Sequence, residues 1–114
     1  MTEPVYPPAS KESAEMRQTL ASETLDAWRG FSRQVFADGV LPAKTKQLIA
    51  VAAAHVTQCP YCIRGHTRQA LKAGASPAEI MEAIWIAAEM RAGAAVAHST
   101  LAIDVIREEQ NKTE

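Results

Sequence analysis

The chain has 114 residues, a formal net charge of −1, 47% hydrophobic residues, six aromatics and two cysteines. That length gives one domain with a core thin for a monomer, and the near-neutral charge offers no electrostatic case for nucleic acid. Charged and polar residues break every apolar run before membrane-spanning length, and the N-terminus carries no basic-then-apolar leader, so a cytoplasmic location is expected.

Residues 1–9, with Pro4, Pro7 and Pro8 around Val5 and Tyr6, cannot form a regular helix. They read as an extended arm, either disordered or docked on a neighbouring subunit. A single helical domain is expected from 10 to 108. Met16, Leu20, Ala27, Phe31 and Val35 approximate a helical stripe, giving one long helix or two joined near Gly30, with Asp38-Gly39 as the stop. Pro42 opens the next helix. Leu48, Val51, Ala52 and His55 fall at i, i+3, i+4 and i+7 on it, and a histidine on such a stripe is more often structural than a ligand.

Cys59-Pro60-Tyr61-Cys62-Ile63-Arg64-Gly65-His66 follows, with Pro60 at the first position of a helix that runs to Gly74. Cys62 and His66, four residues apart, share one helix face and can touch. Only the thiolate is a strong sulfur nucleophile, and the helix N-terminus, His66 and Arg64 each favour it. A second thiol at this spacing can close a disulfide, so C-x-x-C with x-x-x-H is a redox signal. Two other readings compete: cysteines buried as small hydrophobes, and a zinc site using His55 or His98, although a second close-spaced ligand pair is missing.

Ser76-Pro77-Ala78-Glu79 is a capping box with proline at the first helical position. Ile80, Met81, Ile84, Trp85, Ile86, Ala87, Ala88 and Met90 then surround the helix with apolar side chains, implying burial by several neighbours or other subunits. Glu89 is either an exposed charge or a carboxylate paired with Arg91 or a partner. Gly93 can break the helix, leaving a last helix from Val96 and a fraying polar tail over 109–114. The fold class is all-α, a small bundle of five to six helices assembled as an oligomer.

From Leu41 to His98 the chain resembles the carboxymuconolactone decarboxylase superfamily, specifically its alkylhydroperoxidase D-like branch. The residues carrying the resemblance are Leu41-Pro42-Ala43-Lys44-Thr45-Lys46, Cys59-x-x-Cys62-x-x-x-His66, Gly74-Ala75-Ser76 and Glu89-Met90-Arg91-Ala92-Gly93. The resemblance implies trimers or hexamers and an antioxidant thiol peroxidase or disulfide reductase. In that cycle Cys62 becomes sulfenic acid, Cys59 resolves it, and an external dithiol, thioredoxin-like or lipoyl, reduces the disulfide without metal or organic cofactor. The family's proton relay pairs the histidine with a glutamate twelve residues before the first cysteine, where this chain has Gln47; Tyr61 stands where the type protein has a histidine. The catalytic candidates are therefore Cys62, Cys59, His66 and Gln47. The alternative is a redox-responsive binding or scaffold protein whose disulfide switches without turnover.

Overall fold

The protein is described by a computed structural model over residues 5–112, so residues 1–4 of the expected arm and the end of the expected tail lie outside the described residues. Within them are five helices and no strand: α1 (Lys11–Leu20), α2 (Ser22–Phe36), α3 (Ala43–Thr57), α4 (Pro60–Lys72) and α5 (Pro77–Lys112). The class is all-α.

Each helix start but that of α2 has a local side-chain cause. Ser10 caps α1, its hydroxyl accepting from Ser13 N at 3.1 Å. Asp38 reaches past Pro42 and accepts from Ala43 N at 2.7 Å to cap α3, while Lys46 donates to the Val35 and Ala37 carbonyls at the end of α2. The capping box before α5 forms as expected: Glu79 N donates to Ser76 Oγ at 3.1 Å and Ser76 N to Glu79 Oε1 at 2.9 Å. Glu79 also pairs with Lys44 at 2.8 Å, joining the starts of α3 and α5.

Two expected breaks fall elsewhere. The first long helix divides at Ala21, not at Gly30, which lies inside α2. The kink is held by bonds across it: Arg29 donates to Gln18 Oε1 at 2.8 Å and Gln18 Nε2 to Asp26 Oδ1 at 3.3 Å. Gly93 breaks nothing, and α5 runs 36 residues, about 54 Å at the standard rise. A glycine raises the local cost of a helix by only about 1 kcal/mol relative to alanine, too little to end one whose neighbours all favour it.

The core sits where α3 meets α4 and the first half of α5. Val51, Ala70, Ala75 and Ile80 are buried there, with Leu48 and Ile84 packed against them. Ala70 and Ala75 bring the backbones close, so this centre is made of small residues. The Schellman-type stop after α4 follows the same logic: Ala75 N bonds Ala70 O at 2.9 Å and Gly74 takes φ +95°, where a side chain would be strained. The arm, one side of it, lies on its own chain: Tyr6 meets Tyr61 edge-to-face with centroids 6.2 Å apart.

Candidate functional site

The site is built at the turn between α3 and α4. α3 ends in a left-handed residue, Gln58, at φ 57° and ψ 47°, a region where a residue with a Cβ costs about 1–2 kcal/mol. The turn is closed by Cys59 N donating to Ala54 O at 3.2 Å. It is also gripped from outside. Arg91 on α5 donates to Val56 O at 3.3 Å, and the Gln58 amide, with its oxygen toward the guanidinium, accepts from Arg91 Nη1 and Nη2 at 2.5 and 3.2 Å. Arg91 thus braces the α3 C-terminus and does not pair with Glu89, which is exposed.

That turn delivers Cys59 to the N-cap of α4, where its sulfur takes the place usually held by a serine or aspartate oxygen. Cys62 N donates to Cys59 Sγ at 3.3 Å. Both thiols are free and half-buried. The hydrogen bond from the Cys62 side chain, then that from its backbone N–H, holds the Cys59 thiol below the ordinary thiol range. Cys62 is pushed the other way by that side-chain bond, by partial burial and by the neighbouring Cys59 charge. One proton is therefore shared unequally by the pair, and Cys59 carries the thiolate first. Of the three local effects expected from sequence, the backbone N–H groups of the helix start act, and they act on the N-cap sulfur; the causes lie in Cys62 and Tyr61, not in His66 or Arg64.

His66 lies one turn beyond Cys62, and no hydrogen bond joins it to either thiol among the described residues. It reaches instead across to α3. Its Nδ1 lies 2.8 Å from Gln47 Oε1, a contact spanning 19 residues of sequence. A carbonyl oxygen only accepts, so Nδ1 carries the hydrogen and, in the neutral ring, Nε2 keeps the free lone pair. Gln47 is the one buried polar side chain among the described residues, at 9% exposure, and this bond satisfies it. Phe36, the last residue of α2, covers the imidazole with centroids 5.0 Å apart and planes tilted by 31°.

The four sequence candidates thus fall into two hydrogen-bonded pairs, Cys59 with Cys62 and His66 with Gln47, one turn apart along α4. Three contributors were not read as part of the site from sequence: Phe36, which lies beside the apolar stripe of the first helices, Gln58, and Arg91, expected only as a candidate partner of Glu89. A non-glycine residue at a helix stop immediately before the motif was the available signal for Gln58. His55 turns away, donating from Nδ1 to Val51 O at 2.7 Å. Among the described residues no group of three or more His, Cys, Asp or Glu side chains converges to hold a metal ion.

Residues 22–104 match the model of the carboxymuconolactone decarboxylase family. The chain is 56% identical over 102 residues, 90% of its length and 91% of the relative's, to uncharacterized protein 4 in the cox locus of Paracoccus denitrificans. It is similar in structure to a carboxymuconolactone decarboxylase family protein from Legionella pneumophila, with TM-score 0.68 and 28% identity over 85% of this chain and 87% of that one. A Thermotoga maritima member, suggested to take part in an antioxidative response, superposes with TM-score 0.57 and 30% identity over 80% of this chain and 96% of that one.

Proposed function

This chain belongs to the carboxymuconolactone decarboxylase family, and on that premise we propose that it is a thiol peroxidase of the alkylhydroperoxidase D-like kind, reducing hydroperoxides with its Cys59–Cys62 dithiol. The observation that carries the reading is the N-cap sulfur of Cys59, hydrogen-bonded by Cys62 N at 3.3 Å on the helix face that also bears His66. In the cycle, Cys62 gives its proton to the Cys59 thiolate or to His66 Nε2 and attacks the distal peroxide oxygen. The O–O bond breaks, Cys62 becomes sulfenic acid, and the alkoxide takes up the proton and leaves as alcohol. Cys59, as thiolate, then attacks the Cys62 sulfur; the disulfide forms and hydroxide leaves, protonated to water. An external dithiol reduces the disulfide by exchange. One hydroperoxide and one donor dithiol become alcohol, water and donor disulfide, and the cycle itself requires no cofactor.

Gln47 favours a second reading, a redox-responsive binding or scaffold protein whose disulfide is a switch without turnover, because an amide orients His66 but cannot serve as a base. Peroxide consumption with a thioredoxin-like or dihydrolipoyl donor separates the two. Sustained turnover supports the peroxidase; oxidation of one dithiol per chain and no more supports the switch. In Cys59→Ser, dimedone should trap a sulfenic acid on Cys62, and trapping mainly at Cys59 in Cys62→Ser at the wild-type rate would reverse the assignment.

We also propose a cytoplasmic homo-oligomer, a trimer or a hexamer built as a trimer of dimers. The radius of gyration is 20.4 Å, against about 13 Å for a compact domain of this length. Trp85, Ile86, Met90, Val96 and Leu101 stay 60–72% exposed in the single chain. A stable monomer at micromolar concentration in sedimentation would overturn this.

A further inference from the structure

The face of α4 opposite the thiols carries features that stability alone does not account for. Arg64, Arg68 and Lys72 recur every fourth residue, about 200°, 240° and 280° round the helix from Cys62, so the two arginines face away from it and Lys72 lies to the side. All three are exposed and make no ion pair or hydrogen bond among the described residues. Like charges at this spacing destabilise a helix. Between the two arginines stands Gly65, in the helix interior, where glycine is less favourable than alanine. Nothing lies within 4 Å of where its Cβ would be, so no close approach requires the glycine.

What the missing side chain leaves is space. Gly65, Arg64 and Arg68 line a cavity of about 640 Å³, walled by Pro60 and Tyr61 and roofed by the segment 5–9, whose Tyr6 holds the edge-to-face contact with Tyr61. Two unpaired guanidiniums, prolines and tyrosine rings together suit a ligand with an anionic head and an apolar body. The guanidinium forks match a carboxylate, and the proline and tyrosine surfaces match an aliphatic or aromatic chain.

We propose that this cavity binds a carboxylate carried on an apolar body, and that the hydroperoxides the protein reduces include acids of this class, the second half resting on the peroxidase reading. Tyr61, which separates the two cysteines in sequence, belongs to the cavity wall, but neither thiol lines the cavity, so an acid hydroperoxide held there by its carboxylate has to reach round the α4 N-terminus to Cys62.

Two arms of one experiment test the two halves apart. Calorimetric titration of the full-length oligomer uses octanoate, octanamide and inorganic phosphate as probes, with Gly65→Leu to fill the cavity and Arg68→Gln to remove one charge. Octanoate is expected to bind saturably, with octanamide and phosphate at least about tenfold weaker. Each variant should lose about tenfold in octanoate affinity, one charge-assisted contact or its equivalent, while keeping wild-type circular dichroism and sedimentation. No octanoate binding, equal binding by Gly65→Leu, or phosphate binding as tight as octanoate overturns the site, as does a change of oligomeric state in Gly65→Leu, which would make this face a subunit contact. The kinetic arm compares linoleic acid hydroperoxide with its methyl ester. Arg68→Gln should raise KM about tenfold for the acid and leave the ester unchanged; an equal effect on both, or on neither, overturns the substrate class. Failure of wild type to turn over either peroxide would strike the peroxidase reading, and the binding arm would still decide the cavity.

Discussion

The corner where α3 meets α4 and the distal half of α5 are made from similar apolar residues but stand in opposite conditions. At the corner Val51 is fully buried, and Gln47 is enclosed and satisfied by His66. From Ala94 to Lys112 every residue of α5 is exposed, Val96, Leu101, Val105 and Ile106 among them. The difference lies in the reach of one chain. A 36-residue helix is longer than α3 and α4 can cover, so its first half completes the core and its second half presents an apolar surface outward. The candidate site lies where the chain packs on itself, and the part that does not pack supplies the surface for the proposed association.

The comparison can be broken most severely at the corner. Cys62→Ala should lower peroxidase turnover by more than about 10³-fold, as losses of a covalent nucleophile do. It should also move the pH midpoint for iodoacetamide alkylation of Cys59 upward, because that thiolate loses its leading hydrogen-bond donor. An unmoved midpoint would show that the helix N-terminus alone supports the Cys59 thiolate.

Stability should divide along the same line. Ile80→Ala, in the core, is expected to cost about 2–4 kcal/mol in denaturant unfolding. Leu101→Asp, 65% exposed in the single chain, should leave the fold of each chain intact and lower the sedimenting mass. Equal unfolding penalties for the two, with no change in mass, would erase the distinction.

Gln47→Glu sharpens the chemical side. A carboxylate at this position keeps the bond to His66 Nδ1 and adds a base and a negative charge. The charge raises neighbouring thiol pKa values, whereas base assistance contributes about 10²- to 10⁴-fold. Steady-state turnover should therefore rise by about 10²-fold. Unchanged turnover in a correctly folded variant would mean that another group already takes the proton.

The smallest expected effect is at the surface brace. Lys44, then the Ser76 N–H, holds the Glu79 carboxyl below its ordinary range. A depressed carboxylate contributes stability above its unfolded pKa and loses it as pH falls through the folded one. The acid-side decline in melting temperature should therefore be slightly shallower in Glu79→Gln, and a steeper one would reverse the sign of the Lys44 contact.

Most of the candidate site was legible before any fold, since proline at a helix start, two cysteines and a histidine at i, i+3 and i+7 are local geometry. Gln47 was found by resemblance, and only the packing of α3 on α4 turned that position into a bond with His66. Phe36 and Arg91 were not legible because their roles depend on where α2 and α5 arrive, and an apolar stripe or an arginine is consistent with many arrivals.

The sequence by itself determined the all-helical class, the proline-led start of α4, the capping box of α5, the glycine stop after α4 and the placing of both thiols at one helix N-terminus. Each of these is a choice among nearby residues, settled by dihedral preference and short-range hydrogen bonds. Only the tertiary structure decided that Ala21 and not Gly30 divides the first helices and that α5 runs unbroken through Gly93. Those outcomes turn on differences of about 1 kcal/mol between local alternatives, small enough for contacts from distant segments to decide.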